Sequence, residues 1–188
     1  MRVFSSSFSV VVVTMTCFLT CRTASPERAP NEPKKADGWH VYTAPDRTFS
    51  VEVPCEPVQK NVSATSTPNY KYSCGVEDDS GLSFFIVLVL HMPDAEKARM
   101  RDEAVFERSV KDSFSPNKRV AKLIPFKIEN GIGREFVVIN TKDEMDNLRG
   151  RVIIFGSRRY DVGFVASDVK ALESPMVDRF LSTFKPLE

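Results

Sequence analysis

Alternation of hydrophobic and polar residues predicts strands from about Trp39 onward. In the segment FSVEV, Phe49, Val51 and Val53 alternate with polar residues, which is the period of a strand with one buried face. The run LSFFIVLVLH (Leu82–His91) is apolar almost throughout, so we expect a central strand that is covered on both faces. Further strands are predicted in WHVYT, VQKNVSAT, YKYSCGV, VAKLIPFKIE, GREFVVINT, LRGRVIIFG and RYDVGFVAS.

Two helices are predicted among these strands. Asp94 is the expected N-cap of the first helix, which ends at Ser115-Pro116 because the residue before a proline disfavours helical geometry. Ser174 is expected to cap the second helix, with Pro175 at its first position. Their apolar faces consist of Ala98, Val105, Phe106, Val110 and Phe114, and of Met176, Val177, Phe180, Leu181 and Phe184. This order predicts an α+β fold, a mainly antiparallel β-sheet with two main helices packed on it.

Residues 1–21 have the pattern of an export signal. Arg2 precedes an uncharged, largely apolar segment, Val3–Leu19, which is short for a membrane span. An uncleaved membrane anchor is the alternative. Cys21 ends the segment, and the preceding FLT is an imperfect likeness of the signal that precedes a lipidated cysteine in bacterial lipoproteins. We therefore expect lipidation of Cys21, with plain secretion as the alternative.

Composition divides the rest of the chain into a linker and one domain. Residues 22–38 hold three prolines and mixed charges without apolar periodicity, so they are predicted to be a flexible linker before a domain at 39–188. The chain has 26 basic and 25 acidic residues, and loss of 1–21 removes only Arg2, which leaves 25 of each. This neutrality argues against nucleic-acid binding, which depends on an excess of basic charge.

The four cysteines fit an exported protein. If Cys17 leaves with the signal and Cys21 is acylated, Cys55 and Cys74 remain as an even pair. In an oxidising compartment such a pair predicts one disulfide, and the loop it closes would contribute about 3 kcal/mol in the chain-entropy model. Two free buried thiols are the alternative.

Residues that could carry chemistry are few and scattered. His40 and His91 lack the spacing of a metal site, and Gly131-Ile-Gly133 lacks the third glycine of a dinucleotide loop. The acidic clusters Glu77-Asp78-Asp79 and Asp143-Glu144-Met145-Asp146 lack the spacing of an EF-hand and are interpreted as solvated turns. We therefore expect no cofactor, no metal site and no catalytic residues.

Four arginines are the most suggestive group. Arg149, Arg151, Arg158 and Arg159 lie in or beside a predicted hairpin that turns at Gly156-Ser157. If Phe155 faced Tyr160, then Arg158 and Arg159 would be exposed at the tip, where they could contact a carboxylate-rich partner or lipid phosphates. The alternative is a solvated turn that is balanced by neighbouring aspartates.

The segment WHVYTAPDRTFSVEVPCEP resembles the opening hairpin of the PsbP-like superfamily, which includes DcrB-like bacterial lipoproteins. The segments GREFVV, GSRRY and DRFLSTFK are also similar to that pattern, so the resemblance covers about Trp39–Lys185. It implies an α/β/α sandwich and a non-enzymatic role in binding, complex assembly or envelope maintenance. It brings no catalytic residues to this chain, and a Cys55–Cys74 bridge is not a general feature of that superfamily.

Together these patterns predict an exported protein of the cell envelope, tethered through a lipid on Cys21 or released, that binds or helps to assemble an envelope protein. A periplasmic binder of a small apolar ligand under the second helix is one alternative. A secreted hydrolase built on Asp143 and Glu144, or on His91, is another.

The anchor can be tested on the mature protein. We expect intact-protein mass spectrometry of the protein from its natural host to show a chain that begins at Cys21 and carries acyl groups. The Cys21→Ser variant should lose the acyl groups and leave the membrane fraction. A mature N-terminus downstream of Cys21 without acyl groups would instead establish plain secretion.

Overall fold

The computed structural model describes residues 38–63, 67–78, 81–114, 116–141 and 146–188. The predicted signal at 1–21, nearly all of the predicted linker, and Asp79, Asp143 and Glu144 of the acidic clusters lie outside the described residues. Among the described residues, no helix is both long and apolar enough to cross a membrane.

The described chain forms ten strands and three α-helices. The strands are β1 (His40–Thr43), β2 (Phe49–Val53), β3 (Val58–Asn61), β4 (Tyr70–Asp78), β5 (Gly81–His91), β6 (Lys118–Phe126), β7 (Gly131–Asn140), β8 (Asn147–Phe155), β9 (Arg158–Ala166) and β10 (Lys185–Pro186). The helices are α1 (Asp94–Met100), α2 (Glu103–Asp112) and α3 (Pro175–Thr183), and a 3-10 helix at Val169–Glu173 precedes α3.

Seven strands form one antiparallel sheet in the order β3-β4-β5-β9-β8-β7-β6. A small sheet of order β1-β2-β10 lies with α3 and the 3-10 helix on one face of the large sheet, where their apolar side chains share one core. Helices α1 and α2 pack on the other face, against β7 and β8. The predicted α+β class and the antiparallel sheet are confirmed.

The first predicted helix is two helices in the structure. It breaks at Asp102, whose carboxylate accepts a hydrogen bond from the Val105 N–H (3.1 Å) and so begins α2. Aspartate favours this capping geometry over a helix interior. The N-cap of α1 is Pro93 rather than Asp94, and Ala98, which was expected on the apolar face, is exposed.

Ser174 occupies the N-cap position of α3, with Pro175 next, as predicted. Its hydroxyl does not cap the helix, however. The Ser174 carbonyl instead accepts the N–H of Val177 (3.0 Å), and within the described part of the chain the buried Oγ makes no hydrogen bond.

Strand β5 is central but is not covered on both faces. Phe85, Val87 and Val89 are buried beneath the small sheet and α3, whereas Leu82 and Phe84 on the opposite face are 45% and 38% exposed. The reason is the position of α1 and α2, whose core contacts on that face are with β7 and β8. A continuous apolar run does not reveal how far a covering helix extends across a sheet.

A disulfide joins the two sheets. Cys55, just after β2, is bonded to Cys74 of β4, with 5.8 Å between the Cα atoms, as the cysteine count predicts. Both residues are buried in the core that the small sheet shares with the large one. The bond therefore holds the small sheet against β4 covalently.

Removal of this bond should lower the stability of the domain. The residues are 19 positions apart, so the Cys55→Ala/Cys74→Ala variant should lose about 3 kcal/mol of unfolding free energy in urea denaturation, because its unfolded chain is less restricted. Wild-type protein under reducing conditions should lose a similar amount. Equal stability of the oxidised wild type and the double variant would contradict the prediction.

Candidate functional site

Arg149 and Arg151 lie on β8 and point toward α3, where they share one carboxylate. Glu135 of β7 is paired with Arg151 in the sheet register. Its Oε1 lies 3.2 Å from Nη2 of Arg149, and its Oε2 lies 3.2 Å from Nε of Arg151. Because Glu135 is only 8% exposed, it is a buried charge that needs these two partners.

The same two arginines bind the helical layer. Arg149 Nη1 donates to the Leu172 carbonyl (3.2 Å) and its Nη2 lies 2.8 Å from Asp178 of α3. Arg151 Nη1 donates to the Leu181 carbonyl (2.7 Å) at the end of α3. We call Glu135, Arg149, Arg151 and Asp178 the Glu135 network. It gives both arginines a role inside the domain, and their predicted contact with a partner stays a prediction.

Arg159 lies on the opposite face of the sheet. Its Nε is 2.7 Å from Asp161 Oδ1, and its Nη2 donates to Ser113 at the end of α2 (3.2 Å). Burial raises the pKa of the Asp161 carboxyl, and the Arg159 guanidinium opposes this rise. The side chain of Arg159 is only 12% exposed, so it does not project from a hairpin tip as expected.

The hairpin register explains this difference. Phe155 pairs with Arg158, and Tyr160 pairs with Ile153 rather than with Phe155. The turn contains only Gly156 and Ser157, with Gly156 at φ 59°, so Arg158 is already the first residue of β9. The structure therefore places Arg149 and Arg151 under α3 and Arg159 under α2, and the four arginines do not form one cluster.

Arg158 lines an open pocket. This pocket, about 360 Å³ in volume, lies between the β8–β9 turn, α1 and the C-terminal residues. Lys97 of α1 and Asn130 of the β6–β7 turn also line it. A second pocket of about 360 Å³ shares Lys97, Asn130 and Gly156 and adds Arg101. We call this region, with Lys97, Arg101 and Arg158 as its cations, the basic end.

Lys97 and Arg101 were missed by the sequence analysis. They are four residues apart, which places both on one side of a helical turn. That spacing is a usable signal, but a basic helical face is common on solvated surfaces. Only the fold brings α1 beside the turns at Asn130 and Gly156.

The histidines are not brought together. His40 Nε2 lies 3.4 Å from Glu56, and both side chains are largely exposed. His91 is exposed at the end of β5, where it pairs with Arg158. Within the described ranges, no group of three His, Cys, Asp or Glu residues could hold a metal ion.

Gly131 and Gly133 lie where a side chain would collide with neighbouring residues. Both lie in β7, and a Cβ on Gly133 would fall 2.3 Å from the Phe126 ring. The Arg151 guanidinium lies 4.8 Å from the centroid of the same ring. Glycine is therefore required by the close contact between β6 and β7.

Beneath α3, the described residues leave less room than a small apolar ligand would occupy. The cavity there is about 10 Å³ and is lined by side chains such as Phe49, Tyr72, Phe85 and Phe180. A volume of this size corresponds to about one water molecule at most. Aromatic side chains fill this part of the core.

Neutralising Glu135 should destabilise the domain strongly. In the Glu135→Gln variant two guanidinium groups lose their shared buried carboxylate, so we expect a loss of about 3 kcal/mol in urea denaturation. The matched control is Glu52→Gln, which removes the more exposed ion pair to Arg179 (2.6 Å) and should cost about 0.5 kcal/mol. Equal losses in the two variants would contradict a dominant role for the Glu135 network.

No protein-family model matches this chain, and no similar sequence is found among the curated proteins. Among solved structures, the solution structure of cyanobacterial PsbP (CyanoP) from Synechocystis sp. PCC 6803 is similar, with a TM-score of 0.53 and 10% identity over 85% of this chain and 100% of the other. The Ran-binding protein Mog1p of Saccharomyces cerevisiae aligns over 80% of this chain and 96% of its own at 9% identity, with a TM-score of 0.45. The first of these likenesses shows that the domain has a PsbP-like fold.

Proposed function

We propose that this protein is an exported, membrane-tethered module that binds another envelope protein, helps to assemble or maintain it, and carries out no catalysis. The resemblance to DcrB-like lipoproteins and the lipid anchor at Cys21 belong to this proposal. The signal pattern of residues 1–21 supports export, and so does the Cys55–Cys74 disulfide, since such bonds persist mainly in oxidising compartments.

The observation that supports the binding role is that some charged side chains are paired within the fold and others are not. Buried or half-buried charges such as Glu135, Arg134 and Asp161 form ion pairs with neighbours within the fold. At the basic end, Lys97, Arg101 and Arg158 line open pockets and form no ion pair with another described residue, although Arg158 interacts with the neutral hydroxyl of Tyr160. What distinguishes these three cations from other exposed ones is that they line two adjoining pockets, where one partner can contact them together.

The proposal predicts that partner capture depends on the basic end. The immobilised mature protein should retain a specific protein from envelope extracts of its natural host. The Lys97→Ser/Arg101→Ser/Arg158→Ser variant should retain about tenfold less of that protein, or lower still, because charge-assisted contacts are lost. The matched control is Lys60→Ser/Lys122→Ser/Lys170→Ser, which removes the same charge from exposed sites elsewhere. Equal capture by both triple variants would overturn the role of the basic end.

A further inference from the structure

We infer that the basic end recognises a carboxylate-rich segment of the partner protein. This inference rests on the proposed function for the class of partner, and it adds the chemistry of recognition. It concerns a surface that combines α1, the turns at Asn130 and Gly156, and Arg158.

The charges at this surface favour an anion. Three cations, Lys97, Arg101 and Arg158, line the two adjoining pockets. The one acidic side chain that lines them in the described part of the chain is Glu188. An arginine guanidinium binds a carboxylate through two parallel hydrogen bonds, and lysine adds a more adaptable point charge.

Neutral hydrogen-bond donors accompany the cations. The hydroxyl group of Ser157 and the side-chain amide of Asn130 belong to residues that line the same pocket as Arg158. Phe155, Leu187 and Ile154 supply apolar walls beside them. A surface of this kind suits a peptide with acidic side chains and some aliphatic length better than a free, fully hydrated ion.

The position of the pocket favours a protein partner over lipid headgroups. The described chain begins at Gly38, and the ring of Trp39 contacts Phe85 of β5, with 5.8 Å between ring centroids. Arg158 pairs with His91, six residues further along β5, which is roughly 20 Å at the rise of a strand. The basic end is therefore well separated from the point where the predicted tether joins the domain, and a partner in solution can reach it.

The test uses a blocked peptide composed of glutamates and leucines as the probe. We expect the peptide to shift the backbone amide NMR signals of Asn130, Gly131, Gly156 and Ser157, with affinity that falls as salt rises. Arg158→Ser should weaken binding by about tenfold, and the separate Lys97→Ser/Arg101→Ser variant should also weaken it by about tenfold. The latter two substitutions are at exposed or half-exposed positions in α1 and at its end. Lys60→Ser/Lys122→Ser/Lys170→Ser should leave it unchanged.

Two results would overturn the inference. One is peptide binding that is equal in all variants, or absent. The other is binding of phosphatidylglycerol vesicles or inorganic phosphate that depends on Arg158 and exceeds binding of the peptide, which would make the site one for phosphate groups.

The two proposals can fail separately. If the natural partner is lost in the Lys97/Arg101/Arg158 variant while the peptide fails to bind, the proposed function stands and the carboxylate chemistry is wrong. Peptide binding without any captured partner would instead support the carboxylate chemistry and contradict the proposed function.

Discussion

The charge of Glu135 is the constraint around which the two layers of this domain are arranged. A carboxylate buried between a sheet and a helix is costly unless it is paired and hydrogen-bonded. Here Arg149 and Arg151 pair with it from the neighbouring strand, and each also binds a backbone carbonyl of the helical layer. The network thus fixes where α3 and the 3-10 helix lie on the sheet, a position that apolar contacts alone specify less sharply because they are not directional.

The pattern of hydrophobic and polar residues was sufficient to predict the class of fold but not the local geometry of its elements. Alternation in segments such as FSVEV depends only on which side of a strand is buried, and the structure keeps that alternation in β2. The split between α1 and α2 depends on one side chain, Asp102, that competes for the backbone, and the partial exposure of Phe84 depends on distant helices. Neither effect produces a periodic pattern of hydrophobic and polar residues in the sequence.

The candidate site was harder to predict, because its residues come from separate parts of the chain. The arginine-rich hairpin drew attention to the right turn, but the expected register was wrong: Phe155 pairs with Arg158 rather than with Tyr160. This two-residue shift leaves each side chain on its own face of the sheet, but it moves Arg158 and Arg159 from the expected loop into β9, where they lie on opposite faces. Arg159 is then paired with Asp161, whereas Arg158 lines the same pocket as Lys97, which is some sixty positions away in the sequence.

The disulfide after β2 has a mechanical consequence. A pull on the chain at Gly38 would act on His40, which is paired with the last residue of β2, so β1 would peel from β2 one residue pair at a time. Cys55 follows β2 by two positions and is bonded to Cys74 in the interior strand β4. Tension strong enough to detach β2 from β10 and from the core as well would reach Cys55, where the covalent bond passes the load to β4 between β3 and β5. The disulfide thus sets an upper limit, at residue 54, on the length of chain that such a pull can extract before it acts on the large sheet.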